Sequence, residues 1–236
     1  MSLKVPLSQA QIDAAVRLHR QLHQWRTSDA ALENLGKAFP GFSAEDCLLK
    51  SVSVNAIYGT NVLAIVRMAK HVEKVMAQSD PSTAKPELVD RIAALPAIGN
   101  EKTRTRTSFA AKFCHFFINA ERFPIYDDAA CNAIELHLGA NSYVVNTEFP
   151  YRAFCENFAR LRTDAALSCG TRDLDRYLWL AGMYMRWLRE RTRKTKRVNA
   201  ELRELFEHPT TEQAVELHAL LPTDMERAFV APVATA

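Results

Sequence analysis

The sequence predicts an all-α fold, and three observations point there. Apolar residues recur at helical spacing along nearly the whole chain. No run alternates apolar and polar residues as a half-buried strand would. Ser, Asp or Pro stands where several of the periodic stretches begin.

In chain order, Ser8 caps a first helix whose stripe is Ile12, Ala15, Val16, Leu22 and Trp25. A second, short helix fits Ser28 to Phe39 and ends near Pro40-Gly41. Ser43, with Asp46 three residues on, opens a segment through Leu48, Leu49, Val52 and Val54 towards Tyr58-Gly59-Thr60-Asn61. From Asn61, the residues Val62, Ile65, Val66, Ala69, Val72 and Val75 trace one amphipathic helix. Gln78 to Lys85, with its Ser, Asp, Pro and Thr, reads as a loop. Pro86 suits the first helical position of Glu87 to Leu95, and Pro96 stops that helix. After a polar, basic stretch, Phe109, Phe113, Phe116 and Phe117 mark the inner face of another helix. Phe123-Pro124-Ile125-Tyr126 is expected extended, because a residue before proline avoids the helical region. Asp127-Asp128 caps a helix to about Leu138, and one begun near Pro150 carries Phe154, Phe158 and Leu161. Thr171 to Leu188 is apolar on nearly every side, which predicts a buried central helix. Glu212 to Leu221 is the last helix, and residues 228–236 are expected to fray.

Length and composition narrow the function classes. The 236 residues suit one two-lobed domain, placed at residues 1–227. Only 7 are glycine, and none stands in a dinucleotide-binding or P-loop pattern, which argues against both enzyme classes. Five cysteines without a C-x-x-C pair predict a reducing compartment, and no apolar run is long enough to span a membrane. A cytoplasmic protein is expected. His19 and His23 have the spacing of a zinc pair, but no third ligand stands near them, so no metal is expected. No G-x-S-x-G supports a serine hydrolase.

The net charge is only +3, yet cations are clustered. Lys102, Arg104 and Arg106 fall within five residues just before a helix start, where phosphate is favoured. A second basic run extends from Arg186 to Arg197. Each cluster reads equally as a solvated face or as a polyanion contact. Trp179 and Trp187 are read first as core, second as surfaces for base stacking.

Leu95-Pro96-Ala97-Ile98-Gly99-Asn100 resembles the hairpin of helix-hairpin-helix DNA glycosylases. Pro124-Ile125-Tyr126-Asp127 is similar to the segment that opens their next helix with the catalytic aspartate. Ala56-Ile57-Tyr58-Gly59-Thr60-Asn61-Val62 resembles the segment placed against the opened duplex. Ser108 to Phe116 and Leu174-Asp175-Arg176-Tyr177-Leu178-Trp179 look like a bacterial branch with the 8-oxoguanine glycosylase fold. The resemblance covers residues 43–190, leaving flanking helices on either side. It implies a two-lobed helical domain, a duplex carrying a damaged base as partner, excision of an oxidised purine with abasic-site lyase activity, and no cofactor. A non-catalytic nucleic-acid-binding protein of the same fold is the alternative. A monomer is expected.

The resemblance further implies a role for Asp127 in stabilising the positive charge that develops on the sugar, and a plain helix cap is its other reading. The family's lysine has no counterpart at its usual spacing. Lys112, 15 residues before Asp127, is the leading amine, and Lys102 is the alternative. Lys102, Arg104, Arg106, Tyr58 and Asn61 are the expected DNA contacts, with Tyr58 read either as the wedge that fills the opened stack or, equally, as a buried core tyrosine.

If the basic triplet touches phosphates, replacing Lys102, Arg104 and Arg106 with alanine should flatten the salt dependence of duplex binding. The log–log slope should fall by about 0.9 for each phosphate no longer neutralised. Equal slopes for wild type and variant would remove these residues from the interface.

Overall fold

The computed structural model describes residues 3–97, 105–191 and 198–221. Among the described residues there are eleven helices and no strand, so the chain is all-α. It divides into two compact units. The first takes the described residues within Met1–Arg26, Asp127–Tyr143 and Asn157–Ala236, the second Thr27–Tyr126 and Val144–Glu156.

In the first unit, α1 (Gln9–Gln21) begins where the Ser8 amide donates to the Gln11 side chain at 2.9 Å. Helix α2 (His23–Ala38), whose residues from Thr27 on belong to the second unit, follows after an extended Leu22, five residues earlier than its predicted start at Ser28. The cause is a tertiary cap: the Glu201 carboxylate accepts from the Gln24 and Trp25 amides at 2.8 and 3.3 Å. Such a cap has no local signature. Helix α7 (Asp128–Leu138) packs against α9 (Thr171–Arg191), whose buried Leu174, Tyr177, Leu178, Ala181 and Met185 form the centre of this unit. The approach is so close that a Cβ on Gly182 would collide with the Ala129 carbonyl.

Helix α10 (Ala200–Glu207) is an element the sequence reading does not include. Asn199 caps it by accepting from Leu202 N at 2.8 Å, and Leu202, Leu205 and Phe206 are buried at helical spacing. Helix α11 (Thr211–Leu220) starts at a Thr210–Gln213 capping box and lies against α1.

In the second unit, α3 (Ala44–Tyr58) starts at the expected cap, Ser43, which accepts from Asp46 N at 3.2 Å. Helix α4 (Ile65–Met76) begins four residues after the predicted start at Asn61. Asn61 has a φ of 55°, a left-handed conformation that no α-helix accommodates. Helix α5 (Glu87–Ala93) ends two residues before the predicted Leu95, and the Ala93 carbonyl accepts from Arg106 N at 3.0 Å. Helix α6 (Thr107–Phe117) buries Phe109 and Phe113 against α3 and α5, while Phe116 and Phe117 are half-buried. Helix α8 (Pro150–Asp164) starts in this unit and ends in the first. All five cysteines are free thiols; Cys47, Cys114 and Cys169 are buried.

A polar chain crosses the core of the first unit. The His137 Nδ1–H donates to the Val5 carbonyl at 2.9 Å, since a carbonyl can only accept. Nε2 therefore accepts, and the Tyr177 hydroxyl supplies the proton at 2.9 Å. Gln11 reaches the same hydroxyl at 3.5 Å and the Leu220 carbonyl at 3.2 Å. Burial pushes the His137 imidazole down to about 4, despite the opposing pull of the Val5 carbonyl.

This depressed value makes folding pH-dependent with a defined sign. Folded His137 stays neutral where unfolded His137 is already protonated, so its contribution is whole above pH ~6.5 and diminishes as pH falls towards 4. The slope is about 1.4 kcal/mol per pH unit across that window. Urea melts at pH 7 and 4.5 should show wild type losing more stability than His137→Gln. Equal losses would place the acid sensitivity elsewhere.

Candidate functional site

The second unit assembles a polar cluster on α2, α3 and α6. Lys112 faces inward from α6 and is only 3% exposed. Its Nζ donates to Ser108 Oγ one turn earlier at 2.9 Å and lies 5.6 Å from the centroid of the Tyr58 ring. An ammonium beside an aromatic face gains electrostatic attraction, and more so out of water. The Tyr58 hydroxyl donates to the buried Asp29 at 2.6 Å, and its ring stacks on Phe116 with centroids 5.6 Å apart. His115, also buried, donates its Nδ1–H to the Phe123 carbonyl at 2.9 Å. Two sequence-predicted residues, Lys112 and Tyr58, are thus brought together. Asp29, which orients the tyrosine, is missed by sequence reasoning; it lies 29 residues from Tyr58 and carries no local motif.

A second grouping surrounds the turn from α3 to α4. Arg106, the residue before α6, donates to the Asn61 carbonyl at 3.5 Å, joining two of the expected DNA contacts. The turn is clamped by Asn55, whose side-chain oxygen accepts from Thr60 Oγ1 at 2.8 Å and Val62 N at 2.9 Å. Its amide nitrogen donates to the Val62 carbonyl at 3.3 Å. Asn55 is also missed in sequence, where it looks like any polar residue near a helix end.

Lys50 is another buried amine of this unit, at 1% exposure. It donates to the Gly41 carbonyl at 2.5 Å, and the Phe42 and Phe117 rings lie 4.3 and 5.4 Å from its Nζ. Burial lowers its pKa from the usual value, with Asp46 opposing. The same burial raises the neighbouring Cys47 thiol to about 11, with Lys50 acting against the rise.

In the first unit, Asp127 is the N-cap of α7 and accepts from Ala130 N at 3.0 Å through Oδ1. The helix terminus favours a negative charge at this position. Its cap role, one of the two expected, is therefore present. Trp179 packs on Trp25 with centroids 4.2 Å apart, and Trp187 donates from Nε1 to Glu207 at 3.1 Å beside Phe206. Trp187 is core; Trp179 is half-buried. Among the described residues no three His, Cys, Asp or Glu side chains gather as metal ligands. Lys102, Arg104, the hairpin-like Ile98-Gly99-Asn100 and residues 192–197 of the second basic run lie outside the described residues.

Residues 11–122 match the family model described as HI_0787_N, an N-terminal domain. The match takes in Asp29, Asn55, Tyr58, Ser108 and Lys112 and stops short of Asp127. No curated protein matches the chain, and no solved structure does.

Proposed function

We propose that this chain is a DNA glycosylase-like base-excision protein that removes an oxidised purine, with Lys112 as the amine of an accompanying abasic-site lyase step. The observation that carries the reading is the Lys112 amine, withdrawn from bulk water and held by Ser108 and the Tyr58 ring. The motif order from Tyr58 through Asp127 supports it, as does a carboxylate at the N-terminus of α7.

The chemistry needs the damaged nucleotide out of the stack. As the glycosidic bond breaks, positive charge grows on the sugar, and an ionised Asp127 stabilises it. The Lys112 nitrogen forms a bond to C1′ as the glycosidic bond breaks; the base leaves with the electron pair of that broken bond and takes up the proton that the attacking nitrogen gives up. Opening of the sugar ring then gives a Schiff base. No metal or cofactor enters these steps.

One observation favours a second reading, a non-catalytic nucleic-acid-binding module. Lys112 is only 3% exposed, so a duplex held by other residues of the chain would not reach the amine.

The two readings part in an assay for free base on oxidised, alkylated and deaminated duplexes. Under the enzyme reading, Asp127→Asn should slow release by at least about 100-fold, with lesion-duplex affinity retained. Borohydride should trap wild type on abasic DNA by reducing the Schiff base, and Lys112→Gln should abolish trapping. Trapping abolished only in Lys102→Gln would move the amine to Lys102. No release from any substrate by folded wild type would leave the binding module.

A further inference from the structure

One face of α6 carries Ser108, Lys112 and Phe116, each one turn from the next. The hydroxyl and the amine differ in access. Lys112 is 3% exposed, whereas Ser108 is only half-buried. Their Oγ and Nζ atoms stand 2.9 Å apart, within the range over which a proton passes between heavy atoms. Tyr58 spans the other two members of the row, with its ring 5.6 Å from the Lys112 Nζ and 5.6 Å from the Phe116 centroid. That ring is itself fixed, since its hydroxyl is bound to Asp29 at 2.6 Å. A hydroxyl, a base within hydrogen-bond reach and a third group that orients the base are the parts of an activated nucleophile.

Base excision leaves Ser108 with no bond-making role of its own. A serine followed one turn later by a lysine is also the S-x-x-K arrangement of acyl-transferring enzymes. Here the spacing is S-x-x-x-K, which an α-helix places on one face equally well. Lack of G-x-S-x-G excludes a nucleophile elbow, but a serine–lysine pair needs neither that turn nor a histidine. Arg106 supplies no side-chain cap to α6, so the first-turn amides, those of Ser108 and Phe109 included, receive no acceptor from it. Amides on the same turn as the nucleophile suit the negative oxygen that an attacked carbonyl develops.

We propose that Ser108 and Lys112 form a nucleophile–base dyad that cleaves esters or amides with an apolar acyl group. The acyl preference follows from the half-buried rings of Tyr58 and Phe116 on the same face. This activity goes beyond base excision, because it uses Lys112 as a base and requires no DNA. With Nζ unprotonated, the Ser108 hydroxyl donates to the nitrogen lone pair. Oγ then bonds to the carbonyl carbon, its proton passes to Nζ, and the carbonyl π pair moves onto oxygen. As that pair returns, the bond to the leaving alcohol or amine breaks, and the leaving group takes the proton back from Nζ. Water releases the acyl group by the same route, with Oγ now leaving and regaining its proton from Nζ.

The test is labelling of the full chain by an alkyl fluorophosphonate carrying a fluorophore. Oγ bonds to phosphorus, fluoride leaves, and the hydroxyl proton passes to Nζ. Peptide mass spectrometry should place the adduct on Ser108 of wild type, and Ser108→Ala should not be labelled. Lys112→Met should slow labelling by about 100-fold or more, with its helical circular dichroism unchanged. The wild-type rate should also rise with pH as the amine loses its proton, which a merely structural lysine would not produce. Wild-type labelling no greater than that of Ser108→Ala, or an adduct on another residue, would overturn the dyad. So would a wild-type rate independent of pH, which reads the base without relying on any variant. Each of these failures leaves the base-excision reading standing, because borohydride trapping on abasic DNA measures that separately.

Discussion

The carboxylate most exposed to chemical scrutiny, Asp127, is placed by a backbone contact two residues away. Ala129 lies in the first turn of α7, and its carbonyl sits where a side chain at position 182 of α9 would begin. With glycine there, α9 can lie directly on the start of α7. An added methyl group would force the helices apart, and crowding of this kind typically costs about 1–3 kcal/mol or more. The same first turn of α7 holds the cap at which Asp127 accepts from Ala130. The buried Gln11–Tyr177–His137 chain acts on the same pair of helices, joining α7 to α9 through one shared hydroxyl.

The second unit relies on a different device. Its polar groups are oriented by single side chains that each satisfy several partners. Asn55 holds a whole turn through one amide, and Asp29 fixes the tyrosine over which Lys112 lies. Lys50 shows how far the unit tolerates cations away from water, provided a carbonyl and two aromatic faces are supplied. Lys112 has a hydroxyl and one ring in the corresponding roles. Two buried amines of one unit thus sit in similar surroundings.

What the sequence reveals is local. Ser43 and Asp127 are legible as caps because a cap's partner is three residues away, and the structure places both bonds there. The apolar centre of α9 is legible because burial on every side leaves no polar stripe. Features set by distant residues are not legible. The early start of α2 depends on Glu201, and Tyr58 depends on Asp29. The late start of α4 reflects a backbone sign at Asn61 that hydrophobic periodicity does not encode. For the candidate site, residue types can be named, but only folding shows that Tyr58 and Lys112 meet and that Asn61 touches Arg106.

The free thiols give each unit its own reporter. Cys114 lies two residues beyond Lys112 in the second unit, Cys169 just before α9 in the first, and burial raises both above the ordinary thiol range. Only the thiolate alkylates, so each is silent until its surroundings open. Once the half-buried Cys131 and Cys155 are blocked, the rate at which iodoacetamide consumes Cys114 reads opening around the amine cluster. Cys169 reads opening of the helical layer that carries Asp127. The native chain can thus be followed unit by unit, with no added label.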